Sequence, residues 1–174
     1  MSEIENLRFP IGKFSAPQKI SPDHIKHWIE VIRDFPERLI AATKDLNQEQ
    51  LEKQYRPDGW TIQQVVHHCA DSHMNSLIRF KLALTEETPT IKPYAEDLWA
   101  DLLDYKLPIE SSIKILAGIH ERWVKLLENL TEIDLEKQFI HPENNELISL
   151  KQNIGIYAWH CNHHLAHILV AKNN

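Results

Sequence analysis

The sequence predicts an all-α protein: an antiparallel four-helix bundle with short extra helices and a small hairpin before the last helix. Two observations predict it. Four long stretches carry apolar residues at i, i+3, i+4 and i+7, and each opens at a capping box or a proline. The connections between them are longer than tight bundle loops and are rich in Pro, Asn and Asp, which suits helices assembled through excursions of chain.

The 174 residues are 43% hydrophobic and 25% charged, a composition that fits one globular domain spanning 1–174. A formal charge of -6 without a basic stripe argues against a nucleic-acid partner. The first ten residues lack a basic segment followed by an apolar run, and no stretch of eighteen apolar residues occurs, so neither a leader nor a membrane span is expected. The expected location is cytoplasmic. Cys69 and Cys161 form no CxxC pair and read as reduced, buried thiols.

Residues 1–20, with Pro10, Gly12 and Pro17, show no helical period and read as an extended N-terminal arm. Ser21-Pro22 opens the first long helix, with Ile25, Trp28, Ile29, Ile32, Leu39 and Ile40 on its apolar face. Pro36 should interrupt and kink it, because proline lacks an amide donor and clashes with the preceding turn. Asn47 to Gln50 is a capping box for a short turn, and Arg56-Pro-Asp-Gly59 is a loop turn. Thr61-Ile-Gln-Gln64 caps the second long helix, which runs to about Thr85 with Ile62, Val66, Leu77, Phe80 and Leu84 on one face. After the Pro89–Pro93 loop, residues 95–103 are weakly amphipathic. Pro108 precedes the third long helix, with Ile113, Leu116, Ala117, His120, Val124 and Leu127 on a stripe. Thr131 to Asp134 caps another turn, and residues 138–141 and 146–149 flank Pro142-Glu-Asn-Asn145 as a hairpin. Ser149-Leu-Lys-Gln152 opens the fourth long helix, which runs to about Ala171.

That last helix holds His160, His163, His164 and His167, which at 100° per residue fall within an arc of about 100°. His160 and His164 are four apart, the spacing that lets two rings on one face reach a single ion, while His163 and His167 suit supporting hydrogen bonds. A third ligand must come from another helix. The His67-His68 pair on the second helix supplies it, and only one of the two can point inward. Thr61, Gln64, Ser72, Asn75 and Arg79 share the face of His68, with Asp71 nearby, although such a polar stripe is also what a solvated helix face looks like. Three neutral imidazoles with an open position suit Zn²⁺, and Ni²⁺, Fe²⁺ or Co²⁺ are accessible to the same site. The residues between His160 and His164 are Cys-Asn-His, so the HExxH protease motif is absent. His120 reads as a core histidine with a hydrogen-bond partner or as a lining residue of the cavity.

Gly59-Trp-Thr, Val65-Val-His-His, Ala70-Asp-Ser-His-Met-Asn-Ser, Arg79-Phe-Lys-Leu-Ala-Leu-Thr-Glu-Glu-Thr-Pro and Trp159-His-Cys-Asn-His-His-Leu-Ala-His-Ile together resemble the DinB-like four-helix bundle superfamily. Within it the chain looks like the YfiT-type metal-dependent hydrolases, which are similar to the bacillithiol transferase BstA. The resemblance runs through nearly the whole chain. It implies one divalent metal per subunit, Zn²⁺ or Ni²⁺, held by His68, His160 and His164, and thus selects His68 over His67. It also implies a cytoplasmic homodimer acting on a small-molecule substrate. Asn162 stands where the family often has histidine, a position turned away from the metal face.

Three functions are expected to compete. In the first, the metal activates a small thiol such as bacillithiol for attack on an electrophile, and Arg79 orients the cosubstrate. In the second, metal-bound water hydrolyses a small amide or ester, with Asp71 as candidate base. In the third, the chain is a non-catalytic metal-binding stress protein. Asp71, Asn75 and Arg79 are the candidate catalytic residues.

Overall fold

The computed structural model describes residues 3–143 and 145–173. Four long helices form the bundle: α2 (Pro22–Thr43), α4 (Ile62–Thr85), α6 (Glu110–Leu127) and α8 (Leu150–Asn173). Around them lie α1 (Glu3–Arg8), α3 (Gln48–Leu51), α5 (Glu96–Ala100), a 3₁₀ turn at Leu103–Lys106, α7 (Glu132–Glu136), and the strands β1 (Gln138–His141) and β2 (Glu146–Ser149). The strands pair antiparallel, Phe139 opposite Ile148, as the hairpin expected before the last helix.

Local signals set the helix starts. The side chains of Ser21, Asn47, Thr61 and Thr131 each accept the N3 amide, and the backbone N–H of each donates to the N3 side chain to complete a capping box. Ser149 accepts the Gln152 amide at the start of α8.

The packing order follows from burial. α2 packs on α6 and α8, and α4 packs on the same two, so the consecutive long helices α2 and α4 face each other diagonally. Such a diagonal requires the long connections seen in the sequence. α8 is buried around much of its circumference, from Leu150 and Ile154 to Cys161, Leu165, Ile168 and Ala171, which marks it as the central helix. The core between the helices is built on Ile32, Phe35, Leu39, Phe80, Leu116, Trp123 and Ile154, each essentially fully buried.

Two expectations are corrected. The arm at residues 1–20 is not wholly extended: Glu3–Arg8 forms a helix docked on α8, because a six-residue helix that is marginal alone gains stability from tertiary packing. Pro36 does not break the first long helix; α2 runs from Pro22 to Thr43 with Pro36 buried inside it. The carbonyl that a residue-36 amide would have bonded, that of Ile32, receives a side chain instead: the His120 Nδ1–H lies 2.5 Å from it. No helix is long and apolar enough to cross a membrane among the described residues.

Candidate metal centre

Helices α4 and α8 pack together and bring His68, from the second turn of α4, against the middle of α8. One nitrogen of each of His68, His160 and His164 lies within 4.8 Å of the others. His68 Nε2 and His160 Nε2 are 3.3 Å apart, and the His160 and His164 ring centroids are 4.3 Å apart, one turn along the helix. His68 and His164 are buried, and His160 is intermediate in exposure as a residue. Trp60, just before α4, covers His68 with ring centroids 4.6 Å apart.

Burial fixes the charge state of these rings. It lowers the His68 pKa to about 3, with His167 adding to the effect. It holds His160 and His164 well below the ordinary imidazole value, with the neighbouring histidines reinforcing the shift. The three rings are therefore neutral at physiological pH and offer lone pairs. Two facing Nε2 atoms can share at most one proton between them, and the buried Nδ1 of His68 has no hydrogen-bond partner. A cation resolves the contest at Nε2. Three imidazole nitrogens with no carboxylate in the cluster, among the described residues, fit one borderline divalent ion, and three ligands are fewer than such an ion's usual four.

The far sides of the α8 rings are occupied. His160 Nδ1 is 3.1 Å from His73 Nε2, and His73 Nδ1 is 2.7 Å from His120 Nε2, whose other nitrogen meets the Ile32 carbonyl. His164 Nδ1 is 3.4 Å from His167 Nδ1, and His167 Nε2 is 3.1 Å from the Arg8 carbonyl, with the His167 ring stacked on Tyr55. His167 thus makes the hydrogen-bond contact to His164 that the helix spacing suggested. His163 instead stacks on Trp159. His67 is turned away from the cluster, its Nε2–H donating to the Leu107 carbonyl at 2.9 Å and its Nδ1 accepting from the Ser112 hydroxyl at 2.7 Å. The Ser72 hydroxyl lies 3.4 Å from His160 Nε2 and 3.2 Å from the Tyr157 hydroxyl, placing two polar groups at the rim.

The candidate catalytic residues do not join the cluster. Asp71 accepts a 2.7 Å bond from the Tyr105 hydroxyl, and burial raises its pKa. Asn75 spends its amide on the Asp71 carbonyl of its own helix. Arg79 lines a cavity of about 550 Å³ with Tyr94, Glu96 and His141, and its Nε is buried without a partner. The Tyr94 hydroxyl is buried without a hydrogen-bond partner, and burial raises its pKa. Cys69 and Cys161 are free, buried thiols whose acidity burial suppresses, away from the ligand set as expected.

Sequence reasoning missed His73 and Tyr157 as neighbours of the site, whereas Ser72 was already placed on the face of His68. Their signal was weak: His73 lies about 140° around α4 from His68, and only the fold brings it beneath α8. His120 was flagged, and it proves to be a core histidine with a partner.

A family model described as the DinB superfamily matches residues 32–168. A Bacillus cereus (strain 03BB102) protein named "Putative metal-dependent hydrolase" is 54% identical over 165 residues, covering 95% of each chain. A Bacillus mycoides (strain KBAB4) protein given the same description matches at the same identity and coverage. Among solved structures, YfiT from Bacillus subtilis, described as "a probable metal-dependent hydrolase with an unusual four-helix bundle topology", superposes with a TM-score of 0.94 at 44% identity, covering 97% of both chains.

Proposed function

The chain belongs to the DinB superfamily, and on that footing we propose that it is a metal-dependent enzyme whose single divalent cation is held by His68, His160 and His164 and activates a small thiol for transfer to an electrophile. The observation that carries the reading is the all-imidazole cluster, with no carboxylate in it among the described residues. Neutral ligands leave the full charge of the cation uncompensated, so a bound thiol or water becomes markedly more acidic. A thiol needs no further base once ionised, because the thiolate is itself the nucleophile. Around it, the buried Ser72 and Tyr157 offer hydroxyls beside His160, and Arg79, which lines a separate cavity, would orient a carboxylate of the cosubstrate. Bacillithiol is the cosubstrate class we propose, and a homodimer the assembly.

Hydrolysis of a small amide or ester is the second reading. The names of the relatives favour it, and Asp71 is its candidate base, although its carboxylate is bonded to Tyr105 outside the cluster. Metal-loaded and metal-free protein compared in two assays separate the readings: conjugation of a thiol to a model electrophile, and turnover of acyl substrates without thiol. Metal-dependent conjugation that survives Asp71→Asn is expected. Acyl turnover lost in Asp71→Asn would transfer the assignment to hydrolysis, and metal binding without either activity would reduce the chain to a metal-binding protein. Sedimentation analysis tests the dimer.

A further inference from the structure

The hydrogen bonds behind His160 and His164 have a direction, and it can be worked out atom by atom. A backbone carbonyl only accepts, so at Ile32 the proton belongs to His120 Nδ1. A neutral ring with its proton on Nδ1 has a lone pair on Nε2, which accepts from His73 Nδ1–H at 2.7 Å. His73 Nε2 is then a lone pair and accepts from His160 Nδ1–H at 3.1 Å. His160 is left with a bare Nε2 turned toward His68. The second chain runs the same way. The Arg8 carbonyl accepts from His167 Nε2–H, His167 Nδ1 accepts from His164 Nδ1–H, and His164 Nε2 carries no proton.

We propose that His73, His120 and His167 are positioning residues: two one-way hydrogen-bond chains, anchored on the carbonyls of Ile32 and Arg8, that hold the protons of His160 and His164 on Nδ1 and aim both Nε2 lone pairs at the metal seat. Both anchors are carbonyls that helix geometry has released. Ile32 is four residues before Pro36, which has no amide to return the helical bond, and Arg8 is the last residue of α1, where carbonyls lack intrahelical partners. The buried proline and the N-terminal helix thus acquire a task at a site neither touches. Because each chain ends on a carbonyl, neither can carry a proton to solvent; they fix tautomers. His68 has no such support, its Nδ1 being buried and unpartnered, so it is the one ligand free to place its proton on Nε2 and donate to His160 while no cation is present.

The inference rests on the three-histidine reading for its purpose, but its first readout does not require metal. In ¹⁵N-resolved imidazole spectra of the metal-free protein, His160 and His164 are expected as Nδ1–H tautomers and His68 as Nε2–H. An Nε2–H tautomer at His160 or His164 overturns the proposal even if zinc binds tightly. Zinc titration supplies the second readout. His120→Leu and His167→Leu remove an acceptor and are expected to weaken zinc binding 10- to 100-fold. In His120→Gln and His167→Gln an amide can donate to the carbonyl and accept from the next ring, and binding should stay near wild type. Leucine variants with wild-type affinity, or glutamine variants as impaired as the leucine ones, refute it. Should the leucine variants fail to fold, the wild-type spectra decide.

Discussion

The buried His120 makes a quantitative test of how neutral imidazoles shape acid stability. It is 2% exposed, packed against Phe35, Trp123 and His73, and burial lowers its pKa to about 4 from the ordinary 6.5. The unfolded chain takes up its proton near 6.5, so between 6.5 and 4 the unfolded state holds more protons and stability falls as pH falls. With those two pKa values, this one group lowers stability by about 2 kcal/mol between pH 7.5 and pH 5, and by about 3 kcal/mol below pH 4. The assay is urea unfolding of metal-free protein across that range, for wild type and His120→Gln. The variant keeps the bond to Ile32 and loses the titration, so its proton uptake on unfolding near pH 5 should be smaller by about one. Equal slopes for the two proteins would refute the argument that His120 is buried uncharged. His68, His163 and His167 are shifted in the same direction, so wild type is expected to be acid-labile as a whole.

Further outcomes follow from burial and packing. Cys69 and Cys161 are completely buried with suppressed acidity, so neither should react with a thiol reagent in the native protein, and both should react on unfolding; fast native labelling would contradict the assigned packing. Trp123 is fully buried among Phe80, His73, His120 and Tyr157, and Trp123→Ala should cost about 3–5 kcal/mol in denaturant unfolding. The exposed Arg33–Glu128 pair should behave oppositely, with Arg33→Ala changing stability by less than about 1 kcal/mol in the same assay.

What could be read from the sequence was what is local. Capping boxes at Asn47, Thr61 and Thr131 depend on residues three apart, and all formed as expected. The i, i+4 spacing of His160 and His164 is likewise a property of one helix. The partner across the interface was harder, since helical angle alone left His67 and His68 both open; the structure separates them, His67 being tied to Ser112 and Leu107. His73 was not legible, and His120 was legible only as a core histidine with some partner, because His73, His120 and Ile32 come from three different helices and meet only after α2, α4, α6 and α8 pack. Pro36 misled for the same reason. Its local effect is to break a helix, and the His120 N–H donated to the released carbonyl is a compensation that no local rule contains. The helix Glu3–Arg8 escaped notice because it owes its stability to docking on α8.

The central claim is a single cation on three imidazoles with coordination to spare. Metal analysis and X-ray absorption on protein purified without chelators or a histidine tag test it most directly. One divalent ion per chain is expected, with three imidazole nitrogens, at least one light-atom ligand from outside the protein, and occupancy collapsing in His68→Ala, His160→Ala and His164→Ala. A shell filled entirely by protein atoms, a sulfur ligand from Cys69 or Cys161, or undiminished metal content in those variants would contradict it.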